Sequence, residues 1–150
     1  MLVLDGARIV VVGLGDTGLS LARWLRRRGA RVSVTDTRET PPGVAALRHE
    51  FPDMELLLGV DPDAAIAGAD VIAVSPGVDR RSGAIAQAAK RGVPVVGDIE
   101  LFAQALARQS DAPPVIAITG SNGKSTVTAM AGDICVAGGL NPVVDRKSVV

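Results

Sequence analysis

Short runs of consecutive apolar, mostly β-branched residues alternate along this chain with segments whose apolar positions recur every three or four residues. "RIVVV" (Arg8 to Val12) is apolar at successive positions and reads as a strand buried on both faces. "TGLSLARWLRRRG" follows, with Leu21, Trp24 and Leu25 on one helical face, arginines on the other and Gly29 as its stop. "RVSVTD" (Arg31 to Asp36) predicts a second strand, and Pro41 and Pro42 open a helix running to about Glu50. "MELLLG" predicts a third strand, "DPDAAIAG" a short helical turn, and "DVIAVSPG" (Asp70 to Gly77) a fourth strand ending in a sharp loop. "SGAIAQAAKRG" predicts a helix and "VPVVGD" a fifth strand.

Strands and helices in this order predict an α/β fold. Its core is a Rossmann-like parallel sheet with right-handed crossovers and helices on both faces. Ligands of such sheets collect outside the carboxyl ends of the strands, so the loops after Val12, Thr35 and Val74 carry the interest. Near Gly97 the pattern changes. "GDIELFAQALARQS" predicts a helix with Asp98 as N-cap, "DAPP" a stiff linker, and "VIAITGSNGKST" a fresh strand, glycine turn and helix. The expected organisation is a first domain over residues 1–97 and the first elements of a P-loop domain over residues 98–150.

Composition sharpens this picture in a few places. The chain is 47% apolar but only 2% aromatic, so its core is aliphatic, the usual filling of a helix-covered parallel sheet. Sixteen basic and sixteen acidic residues cancel, leaving no overall field to attract nucleic acid. Arg23, Arg26, Arg27 and Arg28 read as the solvated face and C-terminus of one helix. One cysteine, Cys135, excludes an intramolecular disulfide and a cysteine-based zinc site, and is expected as a small core residue of a helix. His49 has no metal-ligand partner at a recognisable spacing and is expected on a helix surface. No apolar run reaches membrane-spanning length, and "MLVLDGARIVVVG" lacks the features of a secretory signal, so a cytoplasmic location is expected.

Two glycine-rich turns carry the candidate chemistry. "GLGDTG" (Gly13 to Gly18) matches G-x-G-x-x-G between a strand and a helix. Gly13 permits the tight turn, Gly15 lets a ligand approach the backbone, and Gly18 lets the helix pack near the strand. The free amides of that helix favour an anion. Asp36 ends the second strand at the distance from Gly18 at which a carboxylate can accept hydrogen bonds from a ribose or another hydroxyl-bearing group. Taken by itself this loop also fits an NAD(P)-dependent oxidoreductase. No His–Asp or Tyr–Lys arrangement follows it, however, and a second phosphate site lies downstream.

That second site is "GSNGKST" (Gly120, Ser121, Asn122, Gly123, Lys124, Ser125, Thr126). It departs from G-x-x-x-x-G-K-[ST] only in the placement of the first glycine. The backbone amides form a concave anion site, Lys124 adds a point charge for the β- and γ-phosphates, and Ser125 or Thr126 can place a hydroxyl on Mg²⁺. A non-catalytic nucleotide-binding module would use the same two loops.

The stretches "GLGDTGLS", "DTRETPPG", "SPGV" followed by "VGDIELF", and "ITGSNGKSTVT" together resemble the Mur ligases of bacterial peptidoglycan synthesis. Among these they look most like the branch that adds D-glutamate to UDP-N-acetylmuramoyl-L-alanine. The resemblance implies an ATP- and Mg²⁺-dependent amide ligase that works through an acyl phosphate, with Lys124 in the catalytic loop. It implies that the first domain holds the uridine nucleotide through Gly15, Asp16, Thr17, Asp36, Thr37, Arg38 and Gly77. Asp16 departs from the often apolar family residue, which leaves a backbone contact intact. After "AGDICVAGGLN" the chain leaves the pattern, where the resemblance implies further magnesium ligands, a modified lysine and a third domain that brings D-glutamate. The P-loop domain is therefore expected to be truncated, with Pro142 to Val150 foreign to the pattern. The 150-residue chain is expected to lack ligase turnover by itself.

Overall fold

The computed structural model describes residues 2–81 and 83–144, so Ser82 and the end of the Pro142 to Val150 stretch lie outside the described residues. Two compact units divide between Ser110 and Asp111. The first is built on five parallel strands: β1 (Arg8–Val12), β2 (Arg31–Asp36), β3 (Glu55–Leu58), β4 (Val71–Val74) and β5 (Val95–Val96), in the order β3-β2-β1-β4-β5. Between and after them run α1 (Asp16–Arg26), α2 (Val44–Glu50), α3 (Asp63–Ile66), α4 (Gly83–Lys90) and α5 (Asp98–Leu106). This is the architecture that the alternation of apolar runs predicts.

Side chains of β1 alternate between two cores, as the pleat requires. Ile9 and Val11 join Leu21, Ala22 and Leu25 of α1, Leu47 of α2 and Leu101 of α5. Val10 and Val12 face the other way, onto Ile66 of α3 and Ile85 and Ala88 of α4. Both faces of the central strands are covered, which is why their sequences are continuous apolar runs rather than alternating ones. One polar side chain in this interior is anomalous. Thr35, fully buried beside Val12, has a hydroxyl with no hydrogen-bond partner among the described residues.

The arginines of α1 stay on its outer side. Arg23 pairs with Glu50, Arg26 with Asp53, and Arg28 stacks 3.7 Å from the centre of the Trp24 ring. His49 is exposed on α2, as expected.

The expected boundary near Gly97 puts the helix at Asp98 with the second domain, while by its contacts α5 packs with the first compact unit. Leu101 buries into the first core, Gln104 Oε1 accepts the Leu2 amide at 3.1 Å, and Arg108 donates to the Leu2 carbonyl. An N-terminal strap, with Leu4 buried beneath it, thus holds α5 in place. The N-cap of α5 is Gly97, and Asp98 is its first helical residue, adding acidic charge to the first turn.

The second unit contains α6 (Lys124–Ala137). The strand expected over Val115 to Thr119 does not form, because no neighbouring strand pairs with it among the described residues, and Val115 and Ile116 are exposed. Helix α6 carries apolar side chains all round instead of a single stripe. Gly132 is its one buried residue, while Val127, Met130, Ile134 and Val136 stand in solvent and Cys135 is half-buried rather than core.

Candidate nucleotide-binding loops

Strand order reverses between β1 and β4, and a parallel sheet opens a crevice at such a point, at its carboxyl edge. The loops after Val12, Asp36 and Val74 are neighbours there. The backbone holds them together. Gly13 N–H donates to the Thr35 carbonyl at 2.8 Å, and Ser75 N–H to the Val12 carbonyl at 3.0 Å. The Ser75 hydroxyl donates to the Gly13 carbonyl at 2.9 Å.

The three glycines of the first loop occupy different environments. Gly13 turns at φ +90°, a conformation that favours glycine. A Cβ on Gly18 would lie 1.8 Å from the Gly13 carbonyl oxygen, so nothing larger fits where α1 passes the strand end. Gly15 has nothing within 4 Å of its would-be Cβ and opens onto free space. It is also the N-cap of α1, and no side chain caps that helix. The first amides of α1, at Asp16 and Thr17, are therefore available to an anion. Asp16 is exposed and Thr17 half-buried. Gly77, exposed in the turn after β4, likewise has open space around it.

Asp36 is the electrostatic centre of the site and sits differently from what its sequence position suggests. It is buried, with 5% of its surface exposed, and its carboxylate accepts four hydrogen bonds from the chain itself. Oδ1 accepts the Arg38 backbone N–H and Nε–H, both at 2.9 Å. Oδ2 accepts the Leu14 amide and Arg38 Nη2, both at 2.7 Å. The Arg38 guanidinium, aided by the Leu14 and Arg38 amides, outweighs burial and lowers the carboxyl to about 2. The expected role, accepting a ligand hydroxyl, is thus occupied by Arg38. The Arg38 side chain is itself 55% exposed, and Thr37 beside it is exposed.

Sequence reasoning missed two supporting residues. Leu14 is fully buried, its amide fixes Asp36 and its carbonyl accepts the Gly43 amide at 3.1 Å, pinning the "TPPG" segment against the glycine loop. Ser75 ties the third loop to the first. The serine directly after an apolar strand was the available signal for it.

In the second unit Gly123, at φ +76°, is the N-cap of α6, and again no side chain caps the helix. Lys124 Nζ folds back to donate to the Gly120 carbonyl. Ser121, Asn122, Ser125 and Thr126 are exposed around it. No cluster of three His, Cys, Asp or Glu residues able to hold a metal occurs among the described residues.

A parallel five-stranded sheet with helices on both faces and an uncapped glycine loop at its reversal point defines a Rossmann-like α/β domain. Residues 7–97 match the family described as Mur ligase MurD-like, N-terminal domain. A UDP-N-acetylmuramoylalanine--D-glutamate ligase of Methylobacillus flagellatus is 54% identical over 144 residues, covering 96% of this chain and 31% of that protein. Its counterpart in Thiobacillus denitrificans is 52% identical over 151 residues, covering 94% of this chain and 32% of that protein. Among solved structures, a pseudomurein peptide ligase type C from Methanothermus fervidus aligns over 89% of this chain and 27% of its own, with TM-score 0.53 and 28% identity. The UDP-N-acetylmuramate-alanine ligase MurC of Thermotoga maritima aligns over 87% of this chain and 29% of its own, with TM-score 0.57. Its 24% identity speaks to the fold alone. The chain belongs to the MurD-like family of Mur ligases, and it spans under a third of the length of the two relatives compared. No helix among the described residues is long and apolar enough to cross a membrane.

Proposed function

We propose that this chain carries the nucleotide-handling elements of an ATP-dependent carboxylate–amine ligase that joins D-glutamate to UDP-N-acetylmuramoyl-L-alanine in peptidoglycan synthesis. The observation that carries this reading is the pair of glycine loops, each opening a helix whose first amides no side chain caps. Two anionic ligands are accommodated by two such helix starts.

In the first unit the amides of Gly15, Asp16 and Thr17 take the diphosphate, with Gly77 leaving room beside them. Thr37 and Arg38 offer donors to the pyrimidine or a phosphate, and Asp36 positions both loops. In the second unit the amides of residues 120–126 and Lys124 take the triphosphate, and Ser125 and Thr126 take Mg²⁺. Lys124 must leave the Gly120 carbonyl to reach a γ-phosphate. In a ligase of this kind the substrate carboxylate receives the γ-phosphoryl group of Mg·ATP, releasing ADP, and the amine of D-glutamate attacks the resulting acyl phosphate, expelling phosphate and losing a proton as the amide forms.

Thermal shift measurements test the reading. UDP-N-acetylmuramoyl-L-alanine is expected to raise the melting temperature of the chain and NAD to leave it unchanged. A larger shift with NAD overturns the assignment of the first loop.

A further inference from the structure

The N-terminal strap, the far end of α1 and one side of α5 do not close fully on one another. They leave a cavity of about 220 Å³ whose walls include Leu4, Trp24, Leu101, Ala105, Arg28 and Arg108. Leu101, Ala105 and Arg108 recur at helical spacing, so one side of α5 and its continuation faces the space, and the small Ala105 leaves it unfilled. Leu4 and Leu101 are buried while Arg28 and Arg108 are exposed, which gives the cavity an apolar floor and a cationic rim. Its charge is one-sided: two guanidiniums line it and no carboxylate does. Elsewhere on α1, Arg23 and Arg26 are paired with acids, but neither Arg28 nor Arg108 has a carboxylate partner among the described residues. Glu100 of α5 lies outside the lining and accepts a hydrogen bond from Gln104 at 2.8 Å. Arg28 is held over the Trp24 ring and Arg108 donates to the Leu2 carbonyl, so both cations are placed by neighbours that do not neutralise them.

Size limits what can enter. An apolar void of about 150 Å³ is enough for benzene, whereas pockets for drug-sized ligands begin at about 300 Å³. The space here suits one six-membered ring with a small polar group and is too small for a nucleotide. We propose that this cavity binds a small monocarboxylate with a flat apolar body. The ring fills the space beside Ala105, against Leu4, Leu101 and Trp24, and the carboxylate meets Arg28 and Arg108. The site is separate from the first glycine loop. None of Gly13, Gly15, Asp36, Arg38 or Gly77 lines it, and Trp24 lies about 12 Å along α1 from Asp16. The inference therefore stands whatever that loop binds. A ligand here touches the strap, α1 and α5 at once, so its binding stabilises the docking of α5.

Trp24 is the chain's single tryptophan and lines the cavity, so its fluorescence reports occupancy. Sodium benzoate, titrated into the 150-residue chain at constant ionic strength, is expected to change that fluorescence with a Kd of about 1 mM or below. It should also raise the melting temperature. Acetate, which lacks the ring, and benzylamine, which reverses the charge, should bind about tenfold more weakly or worse. Arg28→Gln should weaken benzoate about tenfold and leave neutral benzyl alcohol unchanged. Ala105→Leu fills the space and should abolish binding of both. Arg28 is exposed, so Arg28→Gln keeps the test decisive should Ala105→Leu fail to fold. An excess of UDP should leave benzoate binding unaltered. Displacement by UDP would put benzoate in the glycine loop and overturn the proposal. So would a wild type that does not respond to benzoate, an equal response to benzylamine, or benzoate binding that survives both substitutions.

Discussion

Replacing Asp36 by Asn removes the charge at the centre of the first site while nearly preserving its shape. In the folded chain the carboxyl sits at about 2 against an ordinary 3.8. At about 1.4 kcal/mol per tenfold change in proton affinity, the ionised carboxylate stabilises the fold by about 2 kcal/mol at neutral pH. Because the folded value is the lower one, this contribution is complete above the unfolded value and is lost as pH falls through the folded one. Roughly half should remain at pH 3. Asparagine has a single acceptor oxygen. Its amide group must face either the Leu14 and Arg38 Nη2 donors or the other pair, and a buried unpaired amide costs about 1–3 kcal/mol more. The expected loss is therefore about 3–5 kcal/mol at pH 7. Urea unfolding followed by Trp24 fluorescence reads it cleanly, because Trp24 is the chain's single tryptophan and lies in α1 of the first unit. The gap between wild type and variant should shrink by about 1 kcal/mol between pH 7 and pH 3. A variant as stable as wild type at pH 7, or a gap that widens on acidification, would refute this account of Asp36.

Three further outcomes follow from the same structure. Thr35→Val removes a buried hydroxyl that has no partner among the described residues and keeps its branched shape, so urea midpoints should stay level or rise, by up to about 1 kcal/mol; a loss beyond that size would mean the hydroxyl is satisfied after all. Gly18→Ala would drive a methyl group to within 1.8 Å of the Gly13 carbonyl; it should destabilise the first unit by about 2 kcal/mol or more and abolish any UDP-dependent rise in melting temperature, and wild-type behaviour in both respects would count against the packing described. Native-state hydrogen exchange should find the Val11 amide, in the central strand, strongly protected and the Ile118 amide, in the unpaired segment before α6, exchanging almost freely; equal protection at the two would contradict the absence of a strand there.

How much of this was legible in the sequence depends on whether local or distant partners decide each feature. The central strands could be read because a parallel strand covered on both faces leaves its mark as an uninterrupted apolar run, as in Ile9 to Val12 and Val71 to Val74. The turn at Gly13 and the close helix approach at Gly18 were equally readable, since strand, turn and helix are contiguous. The packing of α5 was not. The membership of α5 turns on where Leu101 and Gln104 find partners, and those partners, Leu2 and Leu4 among them, lie at the far end of the sequence. The expected strand at Val115 to Thr119 failed for a related reason: β-branched residues favour an extended chain, but a strand exists only if another pairs with it. At Asp36 the sequence located the carboxylate correctly. Its spacing from Gly18 held no information on the rotamer of Arg38, two residues along, which fills it.

The strap that fastens Leu2 to Gln104 and Arg108 brings the first and last segments of this unit side by side. Proteins built in this way tolerate being cut open elsewhere and rejoined at their original ends. A circular permutant that links Ser110 to Leu2 through a few glycines, with new termini in the exposed turn between Val60 and Asp61, would leave the Gly13 loop and every sheet pairing untouched. The order of the strands in space, rather than their order along the chain, is what this half of the molecule requires.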